Sequence, residues 1–525
     1  MGDLVDGSGD SGSVPVRLAE LVAALSLGID LGFGQPMEHV LRQCLIALRL
    51  AERHGLGEQE RSVVYYTALL VNVGCHSDAH EQAKWFGDDI TLKSRKYDHE
   101  LGSPRAMAST LALLGAGSSL WHRFRIGLEF ALSGRRELDG MIERHAALAA
   151  SLADHLGLPA SVRTAVGSSY EQWDGRGWPG ARAGHAIPVA ARLVQLAEFV
   201  EVAHRVGGID AAVTLAARRR GTQFDPSLAD LVCADPDPIL GGLDSARTWD
   251  AVIGAEPALR VALSGRELDA ALLAVADFVD LKSPYTLGHA RTVADVAGRA
   301  ATRLDLPDLE ARTLYRAALV HGLGRLGVSN AIWDKPGPLG AGEWERVRMH
   351  PYLTERMLHQ SASLAPIGAV AVQHRERLDG SGYPRGVSGA AISRPARVLA
   401  TAEAYQAMRE PRPHRPALDA GCAARELRAE ATAGRLDPGV VEAVLVVEGH
   451  RGAARPRGPG GLTSREVDVL RLLALGLSSK QIAVRLLISP KTTRNHIEHI
   501  YIKIGASNRV SAGLYATQHG LLPGP

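Results

Sequence analysis

The sequence is poor in the residues from which β-sheets and disulfide scaffolds are built. Aromatic residues make up only 5% of the 525 residues, and Ala- and Leu-rich runs take the place of alternating β-branched ones. This composition favours an all-α fold with cores of Ala, Leu and Val. The four cysteines are widely scattered, and no two have metal-type spacing. Such usage is typical of a reducing compartment.

Long apolar runs are also missing. No stretch of 18 apolar residues exists, so we expect no membrane span. The first residues lack the basic-then-apolar pattern of a secretion signal, and we expect a cytoplasmic protein. Its first residues, 1–15, are rich in Gly, Ser and Asp, which predicts disorder.

Charge is distributed unevenly along the chain. The whole chain has a net charge of +2, but the segment from Gly449 to the end contains eleven Lys or Arg and three acidic residues. The first 448 residues therefore have a net charge of −6. A basic tail on an acidic body indicates a nucleic-acid partner for the tail.

Much of the chain is a duplication. In a first register, shifted by 250 positions, His39 aligns with His289, Tyr65 with Tyr315 and Gly74 with Gly324. In a second register, shifted by 205, His145 aligns with His350, Glu171 with Glu376 and Pro179 with Pro384. The two shifts differ by 45, so the first copy carries an insertion of that size. One fold repeated in tandem explains both registers.

The repeat, together with changes in composition, predicts the domain boundaries. The predicted segments are a disordered N-terminus (1–15), a first repeat (16–233, with the insertion at about 76–140), a connector (234–265), a second repeat (266–448), a basic flexible linker (449–461) and a C-terminal domain (462–525).

The second repeat has polar residues at the ends of apolar helical runs. These are His289, His321, His350, His374 and Glu403. Any one histidine near an apolar face is more often a satisfied core or surface residue than a ligand. Four of them with a carboxylate form a set suited to a transition metal in a helical bundle.

The motif order resembles the HD-GYP family of phosphohydrolases. It runs from H-G-L-G-R at His321 through K-P-G-P-L at Lys335 and H-P at His350 to Q-H-R-E-R-L-D-G-S-G-Y-P, which begins at Gln373. The resemblance covers about 268–448. It implies an all-α, metal-dependent enzyme that hydrolyses cyclic dinucleotides with a hydroxide held between two metals.

The departures from the family pattern concern the metal ligands. Gly322 replaces the Asp of the His-Asp pair, and Arg375 replaces the second His of an adjacent pair. Glu403 occupies the position of an Asp that comes late in the family pattern. Arg325 replaces a Lys expected near the phosphate, and it is a weak catalytic candidate because Arg is a poor proton donor.

These departures leave several interpretations of the second repeat open. His289, His321 and Glu403 could hold one divalent metal, Fe or Mn, whereas His350 and His374 alone would hold a second weakly. Arg375 would repel such a metal. Alternatively, a nucleotide or another phosphorylated small molecule binds to Arg325, Arg375 and Tyr383. In the third interpretation, the second repeat retains the family fold but catalyses no reaction.

The first repeat is more eroded. His39, His145 and Glu198 remain, but Val71 and Asn72 occupy the His-Asp positions, and we expect no metal cluster here. The insertion begins with Cys75, His76, Asp78 and His80, which we expect to be solvated polar surface rather than a metal site.

The C-terminal domain has the pattern of three short helices. Thr463 and Glu466 are spaced as a capping box, Ser478 or Ser479 caps a second helix, and Ser489-Pro490 begins a third. A tight turn separates the second helix from the third. Basic and polar residues at the start of the third helix are typical of a helix-turn-helix that enters the major groove.

This domain resembles the LuxR-type DNA-binding domain over 462–522. The matching residues run from L-T-S-R-E at Leu462 through I-S-P-K-T at Ile488 to I-Y-I-K-I-G at Ile500, and Thr493 departs from an apolar Val. The resemblance implies that the residues along the DNA are Lys480, Lys491, Thr492, Arg494, Asn495 and His496. It also implies a homodimer through the last helix. The alternative is a solvated basic face on a protein-binding bundle.

Two functions therefore compete. The first is a transcription regulator that binds double-stranded DNA and whose degenerate tandem HD-GYP-like domains sense a signal and dimerise. The alternative is a metal-dependent cyclic-dinucleotide phosphodiesterase with a DNA-binding output. The broken ligand set favours the first, without enzyme activity.

Overall fold

The computed structural model describes residues 15–98, 112–115, 120–130, 135–244, 247–450, 459–506 and 508–522. The predicted disordered segment, apart from Pro15, and most of the basic linker lie outside these residues. The chain divides into two compact units, 1–447 and 448–525. Helices dominate both, so the all-α prediction is confirmed. None of the helices in the described ranges has the length and apolar character needed to cross a bilayer.

The first unit begins with a short strand, the helices of the first repeat and two short helices of the predicted connector. These are β1 (Val16–Arg17), α1 (Leu18–Gly32), α2 (His39–Arg53), α3 (Glu58–Leu70), α4 (Ala79–Phe86), α5 (Asp89–Ser94), α6 (Leu120–Glu129), α7 (Arg135–His155), α8 (Ala160–Val166), α9 (Val189–Arg218), α10 (Pro226–Ala234), α11 (Asp237–Leu240) and α12 (Thr248–Gly254). Helix α9 is kinked at Gly207 and Gly208, which have non-helical backbone angles.

A second strand at the end of the connector and the helices of the second repeat follow. These are β2 (Ala262–Leu263), α13 (Gly265–Asp280), α14 (His289–Arg303), α15 (Asp308–Val320), α16 (Asn330–Trp333), α17 (Ala341–Leu358), α18 (Ala365–Ala371), α19 (Arg394–Arg409), α20 (Ala420–Thr432) and α21 (Pro438–Val447). Helices α14 and α15 lie 250 positions after α2 and α3, and α18 lies 205 positions after α8. Both predicted registers thus recur as helix boundaries.

The two repeats share one core. Strands β1 and β2 pair antiparallel, with Val16 opposite Leu263. Helix α1 of the first repeat packs against the second, and a Cβ added at Gly28 would lie 2.9 Å from Leu326 and 3.2 Å from Met357. The apolar residues of both repeats form a single buried cluster. The repeats therefore stabilise each other through burial of apolar surface.

Glycine is required at the same point of each repeat. A Cβ at Gly74 would lie 2.1 Å from the carbonyl oxygen of His145, and one at Gly324 would lie 1.9 Å from that of His350. Both glycines lie in short 3₁₀ turns, at Val73–His76 and Leu323–Gly327. The close approach brings each turn against α7 or α17 and so sets the position of the histidine on that helix.

The insertion of the first repeat contacts the second repeat. Asp89, which is fully buried, accepts hydrogen bonds from the hydroxyl of Ser329 and the backbone N–H of Asn330, both at 2.8 Å. Lys93 lies 3.0 Å and Lys282 lies 3.5 Å from its carboxylate. This buried ionic contact fixes α5 against α16.

The second unit contains a compact set of helices. They are α22 (Ser464–Ala474), α23 (Ser479–Arg485), α24 (Pro490–Ile504) and α25 (Arg509–Gln518). The predicted capping box of Thr463 and Glu466 is present, and Ser478 and Ser489 cap α23 and α24. Their own apolar cluster includes Leu470, Ile482 and Ile500.

Candidate ligand pocket and DNA-binding face

The four predicted histidines of the second repeat form one buried cluster. His289 begins α14, His321 follows α15, His350 lies on α17 and His374 lies in a 3₁₀ turn. Neighbouring ring centroids are 5.5 Å apart for His289 and His321, 5.0 Å for His321 and His374, and 5.1 Å for His350 and His374. The structure therefore brings together residues that are far apart in the sequence.

Backbone carbonyls orient three of these rings. The Nδ1 atoms of His321, His350 and His374 lie 2.7, 2.6 and 2.7 Å from the carbonyl oxygens of Ala318, Val347 and Ala371. The Nε2 atoms of His350 and His374 face each other at 3.1 Å. Burial lowers the pKa of His321 to about 3 and keeps the pKa values of His350 and His374 well below the ordinary one. The rings are therefore neutral.

Glu403, on α19, is bound by a cation from the chain itself. The guanidinium of Arg375 forms an ion pair with its carboxylate. Burial opposes ionisation of Glu403, but the charge of Arg375 outweighs it and holds the pKa of the carboxyl below its usual range. The Nε2 atom of His289 is also close, at 3.9 Å.

These residues do not fit the metal centre that the resemblance implies. Gly322 supplies no carboxylate, and the carboxylate of Glu403 is already paired with Arg375. Within the described residues, no group of three or more His, Cys, Asp or Glu is arranged to hold a metal ion. The metal at His289, His321, His350, His374 and Glu403 stays a prediction.

A cavity of about 690 Å³ opens beside the histidine cluster. Its walls contain all three predicted ligand residues, Arg325, Arg375 and Tyr383. Its other basic wall residues are Lys335, Arg412, His414 and Arg415, and its aromatic ones are Tyr285, Trp333 and Trp344. A cavity with several cations and aromatic rings suits an anionic ligand that carries a planar group.

Arg325 lies on the cavity wall beside an aromatic ring. Its guanidinium carbon lies 4.5 Å from the ring centroid of Trp333. Burial and the neighbouring Arg412 lower its pKa to about 10, so it remains charged at neutral pH. Among the residues that the structure describes, no hydrogen-bond acceptor faces its guanidinium. A phosphate would supply those acceptors.

The Asp379–Pro384 loop has a clear structural role. The carboxylate of Glu376 accepts hydrogen bonds from the backbone N–H groups of Arg385 and Val387, at 2.8 and 3.1 Å. In the first repeat, Glu171 binds the backbone N–H groups of Gly180 and Ala181 in the same way. This shared contact explains why the loop is retained in both repeats.

The first repeat also contains a cation beside its carboxylate. The ammonium group of Lys96 lies 2.6 Å from Glu198 and 3.1 Å from the amide oxygen of Asn72. The hydroxyl of Tyr97 donates to Glu198 at 2.9 Å and lies 3.3 Å from His39. Sequence reasoning missed Lys96 and Tyr97, because they belong to the insertion and have no counterpart in the second repeat.

The expectation that the start of the insertion is solvated polar surface is wrong in part. Cys75, His76 and Asp78 are buried, whereas His80 is half-buried and lies 2.8 Å from Asp334. The imidazole of His76 is enclosed between the carbonyl oxygens of Val73 and Phe278, both at 2.7 Å. Phe278 and Asp334 of the second repeat contact this segment, which periodicity alone did not predict.

The predicted DNA-binding residues lie on one exposed end of the second unit. Lys480, Lys491, Thr492, Arg494 and Asn495 are exposed, and His496 is half-buried. Thr493, the departure from the family pattern, is buried, and its hydroxyl donates to the carbonyl of Ser489 at 3.2 Å. The hydroxyl is therefore accommodated inside α24 without disturbing the exposed side chains.

Other cations of this unit have structural roles. Lys503 lies 2.6 Å from Glu466, and Arg509 donates to the carbonyl oxygens of Leu473 and Leu477 at 2.8 and 2.7 Å. Within the described residues, Lys480, Lys491 and Asn495 form no such side-chain contacts. The ammonium groups of Lys480, on α23, and Lys491, at the start of α24, thus remain available for phosphates.

The fold and sites define a class of protein: a tandem helical body with a buried histidine cluster, followed by a helix-turn-helix unit. The family model "HD domain" matches residues 136–228 and 274–440, and the model "Bacterial regulatory proteins, luxR family" matches residues 461–516. The chain belongs to the HD-domain family, with HD-GYP relatives, and has a C-terminal luxR-type domain.

Named relatives are cyclic-dinucleotide phosphodiesterases. The 3′3′-cGAMP-specific phosphodiesterase 3 of Vibrio cholerae is 33% identical over 407 residues, which are 76% of this chain and 88% of that protein. The response regulator RpfG of Xanthomonas campestris, a cyclic di-GMP phosphodiesterase, is 34% identical over 32% of this chain and 44% of its own length. A crystal structure of a cyclic GMP-AMP specific phosphodiesterase from V. cholerae has a TM-score of 0.58 and 27% identity, covering 83% of this chain and 99% of that one.

Proposed function

We propose that this chain is a cytoplasmic transcription regulator whose HD body senses a ligand and whose luxR-type unit binds double-stranded DNA. The exposed start of α24 carries the proposal, since Lys491 forms no side-chain contact within the described residues, whereas Lys503 and Arg509 elsewhere in the unit support the fold. Phosphate contacts from Lys480 and Lys491 position such a helix, and Arg494 and Asn495 have the chemistry to read base edges.

The proposed ligand of the body is a nucleotide or another phosphorylated small molecule. Arg325, Arg375 and Tyr383 line one cavity of about 690 Å³. Arg325 offers its guanidinium, and Trp333 beside it supplies an aromatic face. The similarity to cyclic-dinucleotide phosphodiesterases favours a cyclic dinucleotide as the first ligand to test.

Binding to DNA is tested first with the full chain. Random duplexes are selected for binding, and the affinity for the enriched sequence is measured at several salt concentrations. We expect the affinity to fall with salt, and Lys491→Ala and Arg494→Ala to weaken it. Unchanged binding by both variants would refute the assignment of α24.

The second candidate is a metal-dependent cyclic-dinucleotide phosphodiesterase with a DNA-binding output. The 33% identity to a V. cholerae phosphodiesterase over most of both chains favours it. The Arg375–Glu403 ion pair opposes it. Phosphodiesterase turnover with Fe or Mn that is abolished by His321→Ala would support this candidate over the first.

A homodimer is part of the proposal. A luxR-type unit that recognises a two-fold symmetric operator needs a second copy of the unit, and a body that couples ligand to DNA needs to change the geometry of such a pair. Sedimentation of the full chain with and without ligand tests this point.

A further inference from the structure

A histidine of the first repeat contacts the wall of the cavity in the second repeat. The Nδ1 atom of His80, on α4, lies 2.8 Å from a carboxylate oxygen of Asp334. Asp334 is part of the cavity wall. The ring of His80 also meets that of Tyr285, another wall residue, edge to face with the centroids 6.3 Å apart. One side chain of the first repeat therefore touches two residues of this wall.

Asp334 differs in charge from the rest of the wall. Among the described residues that line the cavity, Asp334 is the one carboxylate, and the other charged side chains are cations. Its side chain is 8% exposed and accepts hydrogen bonds from the hydroxyl of Ser283 at 2.6 Å and the amide of Asn330 at 2.7 Å. Both donors are neutral, so they orient the carboxylate without cancelling its charge. A negative charge in this position repels a phosphorylated ligand.

The lysines of the second repeat that lie near Asp334 are paired with other carboxylates. The ammonium group of Lys335 lies 2.7 Å from Glu343. That of Lys282 lies 3.5 Å from Asp89. The imidazole from the first repeat is thus the group in direct contact that can bring a positive charge to this carboxylate.

The insertion of the first repeat holds α16 at both ends. At the start of the helix, the carboxylate of Asp89 accepts two hydrogen bonds, and at its end His80 contacts Asp334. Helix α16 also carries Trp333, whose ring centroid lies 4.5 Å from the guanidinium carbon of Arg325. The insertion therefore sets the position of the aromatic ring beside a cation of the cavity.

We propose that His80 is a positioning residue for the cavity, whose imidazolium neutralises Asp334 and so raises the affinity of the second repeat for its phosphorylated ligand. This inference rests on the proposed binding of such a ligand at Arg325 and Arg375. A neutral imidazole still donates its Nδ1–H to Asp334 and holds α16, but it leaves the negative charge on the wall. The first repeat thereby makes ligand binding depend on pH.

The surroundings of His80 favour the imidazolium. The hydrogen bond with Asp334 raises the pKa of His80, and burial opposes this effect only in part. On the same helix, Glu81 raises the pKa and Lys84 lowers it. A histidine with a raised pKa makes its full contribution below its ordinary pKa of about 6.5 and loses it as the pH rises through the raised value. The affinity for ligand should therefore fall on going from acidic to alkaline pH.

Calorimetric titration of the full chain with a cyclic dinucleotide tests this dependence. The affinity of the unaltered chain should fall about tenfold between about pH 6 and about pH 8.5. His80→Asn places an amide donor near the position of Nδ1 but cannot titrate, so we expect the ratio of the two affinities to fall at least roughly threefold. His80→Leu removes the donor as well and should bind more weakly than His80→Asn at both pH values.

The controls separate His80 from other histidines. His414 also lines the cavity, and any contribution from it would persist in His80→Asn. His359→Asn replaces an exposed histidine outside the cavity wall and should keep the full pH dependence. A ratio of affinities in His80→Asn as large as that of the unaltered chain would overturn the proposal.

Hydrogen exchange decides the positioning role without any ligand. The backbone N–H groups of Trp333 and Asp334 donate to the carbonyl oxygens of Ser329 and Asn330. In His80→Leu, a peptide that covers α16 should exchange about tenfold faster than in the unaltered chain, whereas a peptide over α21 should not change. Unchanged exchange in α16 would overturn the proposal. Faster exchange in α16 in a chain that binds no cyclic dinucleotide would support the role of His80 and refute the proposed ligand.

Discussion

The ammonium group of Lys96 lies 2.6 Å from the carboxylate of Glu198. Glu198 aligns with Glu403 in the second repeat, and Glu403 is bound by Arg375. The two cations come from different places, one from the insertion and one from the 3₁₀ turn at Val372–Arg375. Each neutralises a buried carboxylate at the position where the resemblance implies a metal ligand. We infer that these two cations take the place of the metal ions that the resemblance implies.

Removing Lys96 should destabilise the body. Glu198 is 2% exposed, so Lys96→Met leaves a buried carboxylate without its cation, and we expect a loss of about 3–5 kcal/mol in the free energy of unfolding. Lys84→Met is the matched control, because the Lys84 side chain in the same insertion is 59% exposed and its loss should cost less than about 1 kcal/mol. Urea unfolding of both variants measures this difference. Equal stability of the two variants would show that Lys96 does not stabilise the site.

Because of Asp89, the free energy of unfolding of the body should fall at acidic pH. Burial would raise the pKa of Asp89, but Lys282 and Lys93 outweigh it and hold the pKa below its usual range. A carboxyl with a lowered pKa stabilises the fold fully above its unfolded pKa of about 3.9, and this contribution is lost as the pH falls below that value. Unfolding free energies measured between about pH 6 and pH 3 should therefore decline more steeply in the unaltered chain than in Asp89→Asn.

The same substitution should lower stability at neutral pH. Asp89→Asn leaves Lys93 and Lys282 buried without a counter-ion, which should cost about 3–5 kcal/mol. Asp88→Asn, one residue earlier, changes only a half-buried helix cap that accepts from the backbone N–H of Ile90 at 3.0 Å, and Asn caps helices about as well as Asp. A similar stability of both variants at about pH 7 would mean that the buried contact does not stabilise the repeat interface.

Much of the fold could be predicted from the sequence. The repeat predicted that the helices of the first copy recur 250 positions later, and α14 and α15 do follow α2 and α3 at that shift. The capping residues predicted α22 to α24 for a local reason, since each Ser or Thr binds a backbone N–H within its own helix. Thr493 departs from the family pattern. The structure accommodates its buried hydroxyl through a hydrogen bond to the carbonyl of Ser489.

The candidate sites were predicted less completely. The histidine cluster could be found because its members end apolar helical runs. Lys96, Tyr97 and the partner of His80 could not, because they meet through folding of an insertion with no second copy. Local polarity even suggested that Cys75 and Asp78 are solvated. A contact between distant segments leaves no periodic signal when only one of them is repeated.

Substitutions on the DNA-binding face should lower the affinity for DNA in two distinguishable ways. Lys491→Ala should weaken binding to all duplexes and reduce the salt dependence by about one unit, as expected for a lost phosphate contact. Arg494→Ala should also relax sequence preference, with a cost of about 1–3 kcal/mol if it reads a base. Arg356→Ala, on an exposed part of α17, removes the same charge from the body and serves as the control in the gel-shift titrations. A loss of affinity in the control would point to a nonspecific charge effect.

Ligand binding to the pocket should depend on Arg325. Arg325→Ala removes a guanidinium that has no acceptor among the described residues, so the variant should fold while its affinity for a cyclic dinucleotide falls about tenfold or more. Arg356→Ala should bind normally. Calorimetric titration of the three proteins measures this. Equal affinity of all three would place the ligand elsewhere or exclude it.

The fate of a cyclic dinucleotide tests the replacement of metal ions most directly. The full chain is incubated with the dinucleotide and Mn or Fe, and the intact and linear forms are separated by chromatography. Because Arg375 binds Glu403 and Lys96 binds Glu198, we predict that the dinucleotide is bound and recovered intact. Repeated turnover to the linear form, lost in His321→Ala, would contradict this account and identify the chain as a phosphodiesterase.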